Sequence, residues 1–197
     1  MSSLIKKITA PNGGVFTGGG TNTYLVGKED ITVVDPGPYI QSHLDKIIEA
    51  GNNNIKRIIV THTHKDHSPG AKPLAEILNV PVIGSFAKFD MSIQDETFKP
   101  DQILHDKDII NTSEYTIEVI HTPGHASNHF CFLIQEEECL LTGDHIMNGS
   151  TVVIAPPDGN MTEYLESLKK LDNFDIKLLA PGHGDYLHDP KLVTDWI

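Results

Sequence analysis

Four side chains able to hold a metal ion fall within six consecutive residues, His62-Thr63-His64-Lys65-Asp66-His67. Imidazole and carboxylate groups are natural ligands for zinc and its first-row neighbours. The run follows directly on the apolar stretch Ile55–Val60, so it belongs to a loop leaving a strand, where side chains can splay towards two adjacent points. A polar loop with a helix-capping aspartate is the plainer alternative, but four ligand types in six residues argue for a metal. Three more loops carry the same chemistry: Thr122-Pro123-Gly124-His125, Gly143-Asp144-His145 and Pro181-Gly182-His183-Gly184. Each follows an apolar run. Ligands in α/β architectures collect beyond strand ends, on loops held by a rigid scaffold.

The elements that must position these loops alternate. Ile5–Ile8, Thr23–Val26, Ile31–Val34, Ile55–Val60 and Val80–Ile83 read as strands. Ile40, Leu44, Ile47 and Ile48 recur at helical spacing up to Gly51, and Ala71–Leu78 reads as a second helix with Pro73 in its first turn. Thr116–Ile120, Phe130–Ile134, Cys139–Thr142 and Ile176–Ala180 read as further strands. Glu136-Glu137-Glu138 is expected at a solvated hairpin tip. Met161–Leu171 is amphipathic, with Met161, Tyr164, Leu165, Leu168 and Leu171 as a core stripe, and Leu192–Ile197 starts another helix. The pattern predicts one α/β domain over residues 1–197.

Composition narrows the function classes. The 197 residues are 39% hydrophobic and 21% charged, with a formal net charge of −12. A chain of this size buries about 70% of its unfolded surface, so a core forms without disulfides. The two cysteines, Cys131 and Cys139, match no zinc or redox spacing. Arg57 is the one arginine, and the acidic balance offers no general attraction to nucleic acid or anionic membranes. A small-molecule substrate is favoured, a nucleic acid lacks support from charge, and no membrane partner is expected. The N-terminus has no apolar run resembling a signal peptide, which predicts a cytoplasmic protein.

The set His-x-His-x-Asp-His, then a histidine, an aspartate and a histidine, resembles the metallo-β-lactamase-fold hydrolase superfamily. The resemblance extends from Asn22-Thr23-Tyr24-Leu25-Val26 through Asp35-Pro36-Gly37 to His183. It implies a four-layer αβ/βα sandwich and two divalent metal ions, with zinc expected. It implies further that His62, His64 and His125 hold one metal, that Asp66, His67 and His183 hold the second, and that Asp144 bridges them. The diiron oxygen-reducing relatives carry glutamate at the position of His64, and true β-lactamases usually lack the bridging aspartate. A hydrolase is therefore the expected activity. Two metals about 3.5–4 Å apart can bind a hydroxide that attacks a carbonyl carbon or phosphorus. Asp66 would orient that nucleophile or carry a proton.

The first substrate expectation is a small-molecule ester or thioester, as in the glyoxalase II branch. Residues His67-Ser68-Pro69-Gly70, Gly143–Met147 and Met161–Leu165 also resemble a β-lactamase-like subgroup that includes a single-strand-specific endoribonuclease. Both groups carry a helical C-terminal domain that is expected to be absent here, and a metal-binding module without turnover is the third alternative. Among the other polar residues, Asp35 either supports a ligating histidine or serves its Asp-Pro-Gly turn. His121 and His145 are expected beside the ligands, and His129 either faces a substrate or is structural. His43, His105, His188 and Lys65 are expected on the surface, and Trp196 against the core.

Overall fold

The computed structural model describes residues 3–89 and 92–188. One sheet runs β1 (Ile5–Thr9), β2 (Asn22–Val26), β3 (Ile31–Val34), β4 (Ile55–Ile59), β5 (Val82–Gly84) and β6 (Gln102–Ile103), in that spatial order. Its first three strands are antiparallel, and β3 to β6 are parallel. Parallel neighbours need crossovers. Helices α1 (Gln41–Gly51) and α2 (Ala71–Leu78) lie in those from β3 to β4 and β4 to β5. The second sheet has the order β11-β10-β9-β8-β7, from β7 (Ile109–Asn111), β8 (Thr116–His121), β9 (Phe130–Ile134), β10 (Cys139–Gly143) and β11 (Leu178–Pro181). It is antiparallel except between β10 and β11, which α3 (Met161–Leu171) connects.

Both faces of each sheet are covered, which is why central strands such as β9 read as near-continuous apolar runs. Alternate side chains go to opposite faces. Tyr24, Val26, Val34 and Ile59 meet Ile117, Val119, Phe132, Ile134 and Leu141 in the layer between the sheets. Leu25, Val33, Ile58 and Val60 face the other way and pack with Leu44, Ile47 and Leu74 of the two helices. Cys131, Leu133 and Leu140 pack with Leu168 and Leu171 of α3. The result is the expected four-layer αβ/βα sandwich.

The two cysteines are free and buried, and burial pushes both thiols up to about 12. Arg57 pairs with Asp30 and donates to Thr32 and Tyr115, a structural task. Among the described residues no helix is long and apolar enough to cross a membrane.

Several expectations need correction. Strands β6 and β7 carry no sequence signal; they have two and three residues, with exposed positions and no apolar pattern. The acidic tip is a 3-10 turn whose carboxylates take partners: Glu136 accepts from the Thr116 amide, Glu137 from the Leu4 amide, and Glu138 pairs with Lys177. In α3 only Leu168 and Leu171 of the predicted stripe are buried, and Met161 and Leu165 are exposed. His43 is buried, not on the surface, and contacts the Thr23 hydroxyl at 2.8 Å. Leu192–Ile197, including Trp196, lies outside the described residues.

Candidate metal centre

The strand ends converge at one edge of the sandwich. Val34 of β3 pairs with Ile59 of β4, so Asp35 and Thr61 leave the sheet side by side. The Asp35 amide donates to the Ile59 carbonyl, and the Thr61 amide donates back to Asp35 Oδ1 at 2.7 Å. In the other sheet Gly143 pairs with Pro181 across a register shift, which brings Asp144 beside His183. Two contacts stitch the sheets together here: the Phe130 amide to the Thr61 carbonyl at 2.8 Å, and the Asn22 amide to the Gly182 carbonyl at 2.7 Å.

All seven expected ligands meet. Their donor atoms form three overlapping groups, His62/His64/His125, His62/His67/Asp144 and Asp66/His67/His183, each within 4.8 Å. Within them, His64 Nδ1 lies 3.0 Å from His125 Nε2, and His183 Nε2 lies 3.2 Å from Asp66 Oδ2 and 3.4 Å from Asp144 Oδ1. His67 Nε2 lies 3.3 Å from both carboxylates. Ligand bonds of about 2.0–2.1 Å in a tetrahedron put donor atoms about 3.3–3.4 Å apart, so the spacing fits metal coordination. Among the described residues, His62 Nε2, His64 Nε2, His67 Nε2 and Asp144 Oδ1 of this cluster are buried without a hydrogen bond, as are His43 Nδ1, Asn128 Oδ1 and both His145 ring nitrogens outside it. Buried polar atoms left in this way normally have a partner.

The outer ring nitrogens explain why the inner ones are free. Thr61 Oγ1 donates to Asp35 Oδ2, so His62 Nδ1–H donates to Thr61 Oγ1 at 2.9 Å. His67 Nδ1–H donates to Asp35 Oδ2 at 2.8 Å, His125 Nδ1–H to the Val153 carbonyl at 2.6 Å, and His183 Nδ1–H to the Gly20 carbonyl at 3.2 Å. Each bond fixes a tautomer and aims the other nitrogen's lone pair inward. Asp35 thus serves both its turn and the ligands.

Charge divides the centre into two halves. Burial and neighbouring imidazoles lower His62 well below the ordinary value, and burial with His125 brings His64 down to about 3. Burial also works against a charge on His67, but Asp66 and Asp144 outweigh it and hold that ring protonated. Burial opposes ionised Asp66 and Asp144 too, and His67 with His183 outweighs it. His183 is raised to about 9, against its burial, by its bonds to Asp144 and Asp66. In the metal-free protein, two protons therefore stand where a cation would neutralise the carboxylates.

A pH dependence follows. His183 is raised from 6.5 to about 9, so its contribution to stability is complete below 6.5 and is lost as pH rises through 9. The unfolding temperature of chelator-treated protein is expected to fall across this window, and that of metal-loaded protein to stay level because those protons have left. Thermal melts at pH 6.5 and 9, with and without chelator, check it.

Gly182 owes its identity to the centre. A Cβ there would lie 2.6 Å from Asp144 Oδ1 and 2.8 Å from His67 Cε1. Gly182→Ala is expected to weaken zinc binding about 10–100-fold by displacing these ligands; calorimetric titration measures it.

The remaining polar residues fall into place around the ligands. His129 is buried beneath them: its Nε2 accepts from the Asp144 amide at 3.2 Å and its Nδ1–H donates to Thr122 Oγ1, so it faces no substrate. His121 contacts the Ser127 carbonyl at 3.1 Å, and His145 lies buried between the His129 and Tyr164 rings. His105, His188 and Lys65 are exposed as expected. Sequence reasoning gives no role to Thr21, Asn22, Thr61 or Asp158. Their signal is thin, because a hydroxyl or a lone acid beside a strand end has no diagnostic spacing.

Residues 16–183 match the metallo-beta-lactamase superfamily. The chain is 26% identical over 193 residues to the atrochrysone carboxyl ACP thioesterase dmxR1 of Cryptosporiopsis sp. (strain 8999), covering 96% of this chain and 56% of that protein. It is 32% identical over 202 residues to the lactamase-like protein nscB of Neosartorya fischeri, covering 100% and 58%. To the beta-lactamase-like protein 2 homolog of Caenorhabditis elegans it is 33% identical over 192 residues, covering 93% and 62%. The chain thus spans less than two thirds of these relatives. Its fold is that of the metallo-beta-lactamase family protein TTHA1429 from Thermus thermophilus, with a TM-score of 0.81 at 20% identity, covering 98% of this chain and 77% of that one. It is likewise that of TTHA1623, solved in a di-iron-bound form, with a TM-score of 0.71 at 23% identity over 93% and 94%. With its strand-end histidines and aspartates gathered at one edge of an αβ/βα sandwich, the chain belongs to the metallo-beta-lactamase superfamily.

Proposed function

We propose that this protein is a dinuclear metal-dependent hydrolase of small-molecule esters or thioesters. The observation that carries the reading is the divided aim of Asp144. Its Oδ1 faces His67 and His183 at 3.3 and 3.4 Å, and its Oδ2 faces His125 at 3.6 Å. A carboxylate so placed would serve two ions at once. His62, His64 and His125 would hold one, and Asp66, His67 and His183 the other. When bound, such a pair supplies Lewis acidity and lowers the pKa of water to roughly 7. Zinc suits the imidazole and carboxylate set.

The chain's own residues do the rest. Asp66 has the most open carboxylate of the centre, 29% exposed against 10% for Asp144. Thr21 Oγ1 donates to its Oδ2 at 3.2 Å and holds its orientation. Asp66, held in place by Thr21, would position the attacking water, and Asp35 fixes the ring of His67. The thioester reading draws support from the thioesterase among the relatives and from the acidic chain. Arg57, Lys170 and Lys177 are paired with Asp30, Asp106 and Glu138, which reduces the positive charge they offer to a polyanion.

The test is a panel of acyl thioesters, esters and single-stranded RNA, run with zinc-loaded and chelator-treated protein. Thiol or acid release that chelator abolishes is expected. RNA cleavage without thioester turnover would select the endoribonuclease alternative, and a fully loaded but inert protein would select the binding module.

A further inference from the structure

The loop that carries His125 does not hold itself in place. The chain from Val153 to Ser167 grips it at successive points. The Val153 carbonyl takes the His125 Nδ1 proton, and the Asn160 amide donates to the Gly124 carbonyl at 2.8 Å. Ser167 Oγ donates to the Pro123 carbonyl at 2.7 Å. Between these points sits Asp158, 3% exposed and with no cationic partner among the described residues. Its Oδ1 accepts from the Ser127 hydroxyl, and its Oδ2 accepts from the Ser127 amide at 3.2 Å and from Gln94 Nε2 at 3.1 Å.

The bond to Gln94 carries the contact to the other ligand loop. Gln94 Oε1 accepts from Thr63 Oγ1 at 2.6 Å, and Thr63 Oγ1 accepts in turn from Asn128 Nδ2 at 2.9 Å. Thr63 lies between His62 and His64, and the backbone of Gln94 bridges that of His64. The amides of Asp95 and Lys65 close the same short ladder onto the carbonyls of Thr63 and Ile93, at 2.7 and 2.9 Å. Asp158 is acceptor-only on both oxygens, so a neutral amide keeps the Ser127 and Gln94 N–H bonds only by turning its own NH2 towards Ser127 Oγ, whose hydroxyl proton then loses its acceptor.

We infer that Asp158 is a positioning residue for one half of the centre: it ties the His62–His64 loop to the His125 loop and sets the separation of those three ligands. The other half is held by different residues, His67 by Asp35, His183 by Gly20 and Asp66 by Thr21. The inference rests on the dinuclear reading above, and it makes the two metal sites separable. Loss of Asp158 weakens the His62/His64/His125 site and spares the Asp66/His67/His183 site.

Calorimetric zinc titration of the full chain tests this in two backgrounds. His183→Ala leaves the first ligand set complete, and His64→Ala leaves the second. Asp158→Asn is expected to weaken zinc binding about 10–100-fold in the His183→Ala background and to change it little in the His64→Ala background. Ser127→Ala, which keeps the buried carboxylate and removes the hydroxyl's bonds to Asp158 and from the Lys88 amide, follows the same pattern with a smaller effect and serves if Asp158→Asn does not fold. Equal weakening in both backgrounds would overturn the inference in favour of a general structural role. An unchanged isotherm in both, with two equivalents in the wild type, would remove the clamp alone. No zinc uptake by the wild type would remove the dinuclear reading along with it.

Discussion

Asp144→Asn is expected to lower kcat/KM for the responsive substrate by about 1,000-fold or more, a loss of about 4 kcal/mol of transition-state stabilisation. The size follows from the residue's position. Asp144 faces His67, His183 and His125, so both ligand halves depend on it. An amide keeps the shape but gives up the negative charge, and it turns one acceptor into a donor aimed at imidazole nitrogens. The backbone provides a control. The Asp144 amide stays bound to His129 in the variant, so the loop keeps its path and the loss reports on the side chain. Steady-state kinetics on zinc-saturated variant and wild type measure it. A variant within tenfold of the wild type would contradict the bridging role.

The second large effect is expected at Asp35. Its carboxylate is 2% exposed and accepts from the Thr61 amide, the Thr61 hydroxyl and His67 Nδ1. Asp35 also sits at φ 49°, in the left-handed region that asparagine tolerates and alanine does not. Asp35→Asn therefore isolates the hydrogen bonding. One oxygen becomes an N–H facing the Thr61 hydroxyl and the His67 ring, so the buried His67 Nδ1–H loses its acceptor while Asp66 and Asp144 still face the other ring nitrogen. Leaving a buried donor unsatisfied costs about 1–3 kcal/mol, expected here as the loss of unfolding free energy in the metal-free protein. Zinc affinity should fall about 10–100-fold in addition, because the His67 ring loses its orientation. Asp35→Ala should be worse still by about 1 kcal/mol of backbone strain. Denaturant unfolding of chelator-treated protein and zinc titration separate the two consequences.

Much of the fold can be read from strands with both faces covered. Phe130–Ile134 is an unbroken apolar run and Ile31–Val34 is interrupted only by Thr32, and their predicted limits match the strands. Helix α2 likewise matches its predicted span. Strands β6 and β7 escape such reading because edge strands of two or three exposed residues are defined by their neighbours, not by their own composition. His43 misleads for a related reason. Its polar neighbours Gln41 and Ser42 suggest solvent, but one turn of helix aligns it with Ile47, which is also buried. The seven ligands are legible because histidine and aspartate at successive strand ends are chemically conspicuous. Thr61, Thr21 and Asp158 are not, because their work lies in hydrogen bonds that only the folded chain brings together.

The most direct measurement of the central claim is a zinc titration of the metal-free wild-type protein at about pH 7, with proton release followed in parallel. A dinuclear centre is expected to take up two equivalents per chain and to release the protons that His67 and His183 hold against Asp66 and Asp144. Uptake of one equivalent or none, or binding without proton release, would contradict it.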